Sequence, residues 1–135
     1  MKTVGILYPG DMGHSVGKVL REDGFQIVTS VFGRSERTRR LSRSAHFDEC
    51  VGVDSLVDVA DVIMSIVPPA ASLDVAGQVA AAAQDMEKSP LFVEANAVSP
   101  MTVSAAKQIV LDAGCQFLDA CIIGPANDVR GRCVF

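Results

Sequence analysis

The chain has 135 residues, a hydrophobic content of 49%, a charged content of 21% and a formal net charge of −4. That length supports one domain with a single core, and the proportions are those of a globular protein. The acidic balance gives no general electrostatic reason to bind nucleic acid or an anionic membrane, and no apolar run approaches the roughly 20 residues of a membrane span.

The amino terminus, MKTVGILYPG, carries one Lys and an apolar run too short for a signal peptide, so a cytoplasmic location is expected. Cys50, Cys115, Cys121 and Cys133 are scattered without a C-x-x-C pair, which argues against a disulfide framework and for small apolar fillers. His14 and His46 sit in unrelated stretches, so no metal site is expected.

Apolar runs of strand length alternate with helical patterns along the chain. TVGIL reads as a first strand, and HSVGKVLRED as a helix with Val16, Val19 and Leu20 on one face, stopped by Gly24. FQIVTSVF is the second strand and SERTRRLSRSA a strongly basic helix. CVGV reads as a short third strand and DSLVDVA as a short helix capped by Asp54 or Ser55. DVIMSIV is the fourth strand, and AASLDVAGQVAAAAQ an Ala-rich helix after Pro68 and Pro69. PLFVEA is the fifth strand, followed by the helix SPMTVSAAKQIVLDA with Ser99 as cap, Pro100 in the first turn and Gly114 as its stop. CQFLDACII is the sixth strand, and GRCVF reads as the first half of another. Such alternation predicts right-handed βαβ units: an α/β, Rossmann-type, doubly wound and mainly parallel sheet. Its strands read as continuous apolar runs, as strands covered on both faces should.

Parallel sheets bind ligands at the carboxyl ends of their strands, near the point where strand order reverses. The first βα turn occupies that place and reads Tyr8-Pro9-Gly10-Asp11-Met12-Gly13. In a G-x-G-x-x-G loop the first glycine permits a tight turn, the second lets backbone approach a pyrophosphate, and the third lets helix pack on strand. Gly10 and Gly13 hold the second and third positions. Tyr8 holds the first, which is expected to take a φ open to other residues, with Pro9 stiffening the turn. The helix that follows offers N–H groups and a positive dipole end to phosphate. Asp11 is an odd neighbour for an anion, and its side chain is expected to point outward.

An NAD-preferring domain carries an acid at the tip of its second strand to accept from the ribose hydroxyl. This strand instead leads into VFGRSERTRR. Arg34 and Ser35 supply the guanidinium and hydroxyl that a 2′-phosphate requires, and Arg37 and Thr38 are next in reach. NADP is therefore expected over NAD. Arg39, Arg40 and Arg43 read as surface charge.

With these residues in place, the chain resembles the NAD-binding domain of the 6-phosphogluconate dehydrogenase and β-hydroxyacid dehydrogenase superfamily over nearly its whole length. Met12-Gly13 matches the end of that family's loop, and Arg34-Ser35 its NADP pair. DVIMSIVPP resembles the apolar fourth strand and Pro-containing loop, which implies that Val67, Pro68 and Pro69 flank the cofactor. EANAVSP stands where the family has D-x-S-T-x-x-P, and DACIIGP where it has D-A-P-V-S-G-G. The resemblance thus implies that Asn96 lies near the nicotinamide and that Asn96, Ala97, Ile123, Gly124 and Pro125 form part of a substrate wall. Ala97 and Ile123 depart from the family by replacing hydroxyl-bearing residues, which weakens any transfer of the family's substrate.

The family's acid/base lysine lies on a helix beyond the nucleotide domain, so the resemblance places it beyond residue 135, together with a helical C-terminal domain and the usual homodimer contact. Lys107 is the only lysine after Ser89 and reads as surface. The chain is thus expected to be the N-terminal domain of a longer oxidoreductase acting on a small acidic substrate, with no catalytic residue of its own and no activity alone. A non-catalytic nucleotide-sensing module and a Rossmann-shaped interaction domain are the alternatives. Four further residues carry their own expectations. His14 reads as a partly exposed helix-start residue, and Glu94 as a structural or water-bridging acid. Asp119 reads as a cap for the loop after the sixth strand. Tyr8 is either a shield for the cofactor or a turn residue half buried against the sheet.

Overall fold

The computed structural model of the chain describes residues 2–132. Its strands are β1 (Thr3–Leu7), β2 (Gln26–Ser30), β3 (Asp48–Glu49), β4 (Val62–Ser65), β5 (Leu91–Glu94) and β6 (Gln116–Asp119). Between and after them run α1 (Asp11–Glu22), α2 (Glu36–Ser44), α3 (Val53–Val59), α4 (Ser72–Met86), α5 (Pro100–Asp112) and the short α6 (Val129–Arg132). All ladders are parallel, and the order is β3-β2-β1-β4-β5-β6. Strand order reverses between β1 and β4, so the tips of those two strands border the crevice where such sheets hold ligands.

Each face of the sheet has its own apolar layer. On one side Leu56 and Val57 of α3, Val75, Ala76 and Val79 of α4, and Ala106 and Val110 of α5 pack on Leu7, Ile63 and Phe92. The alanines of α4 let it lie close between α3 and α5. On the other side Val16 of α1 and Val129 of α6 pack near Ile66 and Val93, and Phe47 joins Val4, Ile6 and Ile27. All five residues of β1 are buried, as the central strand of a doubly covered sheet requires.

Several sequence expectations change. The third strand is Asp48–Glu49 rather than CVGV: the Cys50 N–H donates to Thr29 O at 2.7 Å, and Gly52 caps α3 in place of Asp54 or Ser55. The sixth strand ends at Asp119, because Ala120 makes the last backbone bond to β5, to Glu94 O at 2.8 Å. Of the GRCVF stretch, Gly131 and Arg132 belong to α6 rather than to a strand, and Cys133–Phe135 lie outside the described residues. Asp128 receives the Gly131 N–H at 3.0 Å, and Arg130 pairs with Asp23 of the α1 C-cap at 2.7 Å, which folds this segment onto α1. The described cysteines are free. Cys115 is buried in the core and Cys50 half-buried, but Cys121 is exposed and is no filler.

One glycine sets how closely α1 approaches the sheet. A Cβ on Gly17 would stand 2.4 Å from Phe47 Cζ and 3.1 Å from Ile6 Cδ1. Gly17→Ala is therefore expected to lower stability by about 1–3 kcal/mol through overpacking. Chemical denaturation checks this, and an unchanged midpoint would contradict it.

Candidate functional site

The chain leaves β1 through a sharp turn. Tyr8 takes φ 49°, the left-handed conformation that a first glycine normally supplies. This corrects the expectation of an ordinary φ at that position. The conformation is held by the side chain. The half-buried ring packs against the core layer of α3, α4 and α5, and its hydroxyl donates to Gln78 Oε1 at 2.8 Å. The Arg34 guanidinium lies 3.8 Å above the ring, a cation–π contact. Tyr8 is thus a turn residue half-buried against the sheet, and it also carries Arg34 from the next loop.

Gly10 and Gly13 divide the remaining work. A Cβ on Gly10 would meet nothing within 4 Å, so its backbone borders open space at the start of α1. A Cβ on Gly13 would lie 3.0 Å from Pro9 and 3.5 Å from Ile6, so that glycine allows helix and loop to close on β1. The first turn of the 12-residue α1 directs backbone N–H groups toward this space.

His14 braces the loop from below. Its Nδ1 is 2.7 Å from Gly10 O and its Nε2 is 3.0 Å from Ser42 Oγ. A carbonyl only accepts, so Nδ1 carries the proton and Nε2 accepts from the serine hydroxyl. The ring is 6% exposed and stacks on Phe47, which corrects the expectation of a partly exposed residue. Burial pushes its pKa below the ordinary histidine value, more than its bonds to backbone oppose.

The tips of β4 and β5 are tied by a buried polar network. Asn96 Oδ1 accepts from the Val67 N–H at 2.8 Å, while its Nδ2 donates to Ser65 Oγ at 3.0 Å and to Glu94 Oε1. Ser72 of α4 donates to Glu94 Oε2 at 2.9 Å. Glu94 is fully buried; desolvation raises its pKa, against the opposing bonds from Ser72 and Asn96. Both ends of the Asn96 amide are engaged within the protein, so Asn96 positions the Val67-Pro68 loop.

These elements enclose a cleft of about 490 Å³ at the switch point. It is lined by Tyr8, Pro9, Gly10, Asp11, Met12, Gly13, Arg34, Val67 and Pro68 among the residues singled out from sequence. Thr38, read from the sequence as within reach of a 2′-phosphate, lines it too, as do Ile66, Ala71, Asp74 and Val75. Ser35, Arg37 and Pro69 do not. Ser35 caps α2, its hydroxyl accepting from the Thr38 N–H at 3.2 Å, and Arg37 donates to Asp11. Asp11 is exposed, as expected, but pairs with an arginine. Arg39 is not simply surface charge, because its Nε is buried without a partner. Asp74 and Val75 were unread in the sequence, although Ala71, Asp74, Val75 and Gln78 follow the i, i+3, i+4, i+7 spacing of one helix face. A second cleft of about 360 Å³ gathers Asn96, Ala97, Asp119, Ala120 and Cys121. Ile123, Gly124 and Pro125 lie outside it, with Ile123 exposed and Gly124 at φ 143°. Among the described residues no group of three or more His, Cys, Asp or Glu side chains could hold a metal ion, and no helix is long and apolar enough to cross a membrane.

Strand order, the glycine-bearing turn and the cleft at the switch point define a Rossmann domain. A sequence model described as the NAD binding domain of 6-phosphogluconate dehydrogenase matches residues 3–132, and the chain belongs to that family. A curated relative from Methanothermus fervidus, an uncharacterized 28.5 kDa protein, is 26% identical over 121 residues, covering 90% of this chain and 45% of the relative. Among solved structures, the conserved protein MTH1747, of unknown function and described as structurally similar to 3-hydroxyacid dehydrogenases, superposes with a TM-score of 0.79 at 27% identity. That match covers 93% of this chain and 45% of the other. An imine reductase from Myxococcus stipitatus in complex with NAD+ shares the fold with a TM-score of 0.72 at 20% identity, over 95% of this chain and 43% of its own. The chain thus spans less than half the length of these proteins.

His14 and Glu94, both buried, respond oppositely to pH. Unfolded His14 takes a proton near its ordinary value of about 6.5, and the folded group only at lower pH, so its contribution to stability is lost as pH falls below that value. Folded Glu94 binds its proton at higher pH than the unfolded chain, so stability declines as pH rises from the ordinary carboxyl value of about 4.3 toward the raised one. Against His14→Gln, the wild-type advantage in thermal midpoint should shrink on acidification. Against Glu94→Gln it should shrink as pH rises. The reverse slope for either variant contradicts the assignment.

Proposed function

We propose that this domain binds NADP(H) in the cleft at the switch point, as part of an oxidoreductase that moves hydride between the nicotinamide and a hydroxyl or carbonyl carbon of a small acidic substrate. The observation that carries the reading is Arg34. It sits on the cleft rim, stacked on Tyr8, beyond a second strand that ends without an acid. The residues present fit the cofactor. Open backbone at Gly10 and the start of α1 suit a pyrophosphate, and the arginine suits a 2′-phosphate. Ile66, Val67 and Pro68 form an apolar wall.

In this reading Tyr8, Gly10, Met12, Gly13, Arg34, Val67 and Pro68 bind or orient the cofactor. Asn96 and Ala97 begin the substrate wall in the second cleft. When bound, the cofactor supplies a two-electron hydride carrier. No residue of this chain is assigned the exchange of the proton, and Lys107 is exposed on α5. The chain alone is therefore expected to bind cofactor without turnover. The dehydrogenase and imine reductase descriptions of the structural neighbours agree with redox chemistry at a carbon centre.

Calorimetric titration tests the reading. NADPH should bind at least tenfold more tightly than NADH, about 1.4 kcal/mol, and Arg34→Ala should remove most of that difference. Equal affinity for both nucleotides, or an Arg34→Ala variant that keeps the preference, would remove the NADP assignment.

A further inference from the structure

The two arginines expected to meet a 2′-phosphate are both turned onto the phosphate loop. Arg34 lies on Tyr8, and Arg37 donates through Nη2 to Asp11 Oδ1. Tyr8 and Asp11 are the two residues that make this loop unusual: one replaces a glycine, and the other sets a carboxylate beside a site for anions. The contacts differ in kind. Stacking on Tyr8 leaves the guanidinium edge of Arg34 free to donate, whereas the Asp11 carboxylate takes an Nη2 donor of Arg37 and sets a negative charge against that guanidinium. The Ser35 hydroxyl, the other group available to a 2′-phosphate, already caps α2 at the Thr38 N–H. The Asp11–Arg37 pair is 64% and 62% exposed at its side chains, so it is weak enough for a dianion to displace.

We propose that Asp11 is a specificity-determining residue. As an internal rival to the 2′-phosphate for Arg37, it reduces the margin by which the site prefers a phosphorylated over an unphosphorylated ribose. The proposal rests on the reading that the cleft binds NADP(H), and it explains why an acid is tolerated at the start of α1. In the nucleotide-free protein the carboxylate holds Arg37 near the site and helps the α1 dipole. When a 2′-phosphate arrives, Arg37 exchanges one anionic partner for another. The net gain from Arg37 is then the difference between the two contacts rather than the whole of one.

The test uses 2′,5′-ADP and 5′-AMP, which differ in the 2′-phosphate alone and need no nicotinamide subsite. Both are titrated calorimetrically into wild type, Asp11→Asn, Arg37→Ala and the double variant, with thermal midpoints confirming that each is folded. Asp11→Ser serves as a second neutral replacement. Asp11→Asn is expected to raise the affinity ratio of 2′,5′-ADP to 5′-AMP at least threefold. The double variant should fall back to the ratio of Arg37→Ala. Removal of a nearby negative charge should strengthen both ligands somewhat, so the ratio is the diagnostic. Equal strengthening of both ligands, or a ratio gain that persists without Arg37, would overturn the proposal while leaving the cofactor site standing. Failure of wild type to bind either probe or NADPH would overturn the cofactor reading as well.

Discussion

The chain must turn within four residues as it leaves β1, so that the N-terminus of α1 lies under the tips of β1 and β4. It makes that turn with a tyrosine at φ 49°. A left-handed conformation costs a non-glycine residue about 1 kcal/mol or more. The hydroxyl bond to Gln78, the ring packed on the core and the stacked Arg34 together offset it. A glycine would avoid the strain but would have no ring to place against α4 and no platform for the β2–α2 loop. The substitution thus trades conformational freedom for a fixed link between two loops that border the cleft.

A second restraint acts on the opposite wall. The Val67-Pro68 loop is held by the Asn96 amide, which is held by Glu94 and Ser65, while Ser72 brings the first turn of α4 to the same carboxylate. A buried carboxylate is costly unless its oxygens are satisfied. Three donated bonds, from Ser72 and from the side chain and backbone of Asn96, meet that requirement. The Val67-Pro68 wall of the cleft is therefore fixed by side chains that do not line its open volume. On the α1 side His14 performs the same service, joining Gly10 to Ser42.

The alternation of apolar runs and helical spacing made the parallel, doubly covered sheet legible, whereas the order of its strands was not read from the sequence. The loop from Tyr8 to Gly13 and Arg34 were readable because glycine and arginine have few roles at those spacings. What could not be read depended on side-chain partners distant in sequence. Asn96 carries donors and acceptors that suit a ligand, but residues 31 and 29 positions earlier in the chain consume them. His14, at the start of α1 as expected, looked partly exposed because the pattern gave no sign that Phe47 and Ser42 would cover it. The β3 boundary failed because a two-residue strand leaves no periodicity, and apolar Cys50 and Val51 drew the assignment past Asp48 and Glu49.

The proposed cofactor site places the nucleotide between the Tyr8–Gly13 loop, Arg34 and Val67. Amide chemical-shift mapping of the isotope-labelled chain during titration with NADPH tests it most directly. Saturable shifts are expected, concentrated at Met12, Gly13, Arg34 and Val67, with little change at the β6 edge. Shifts centred instead on Phe32, Arg43 and Val51, or none at saturating nucleotide, would contradict it.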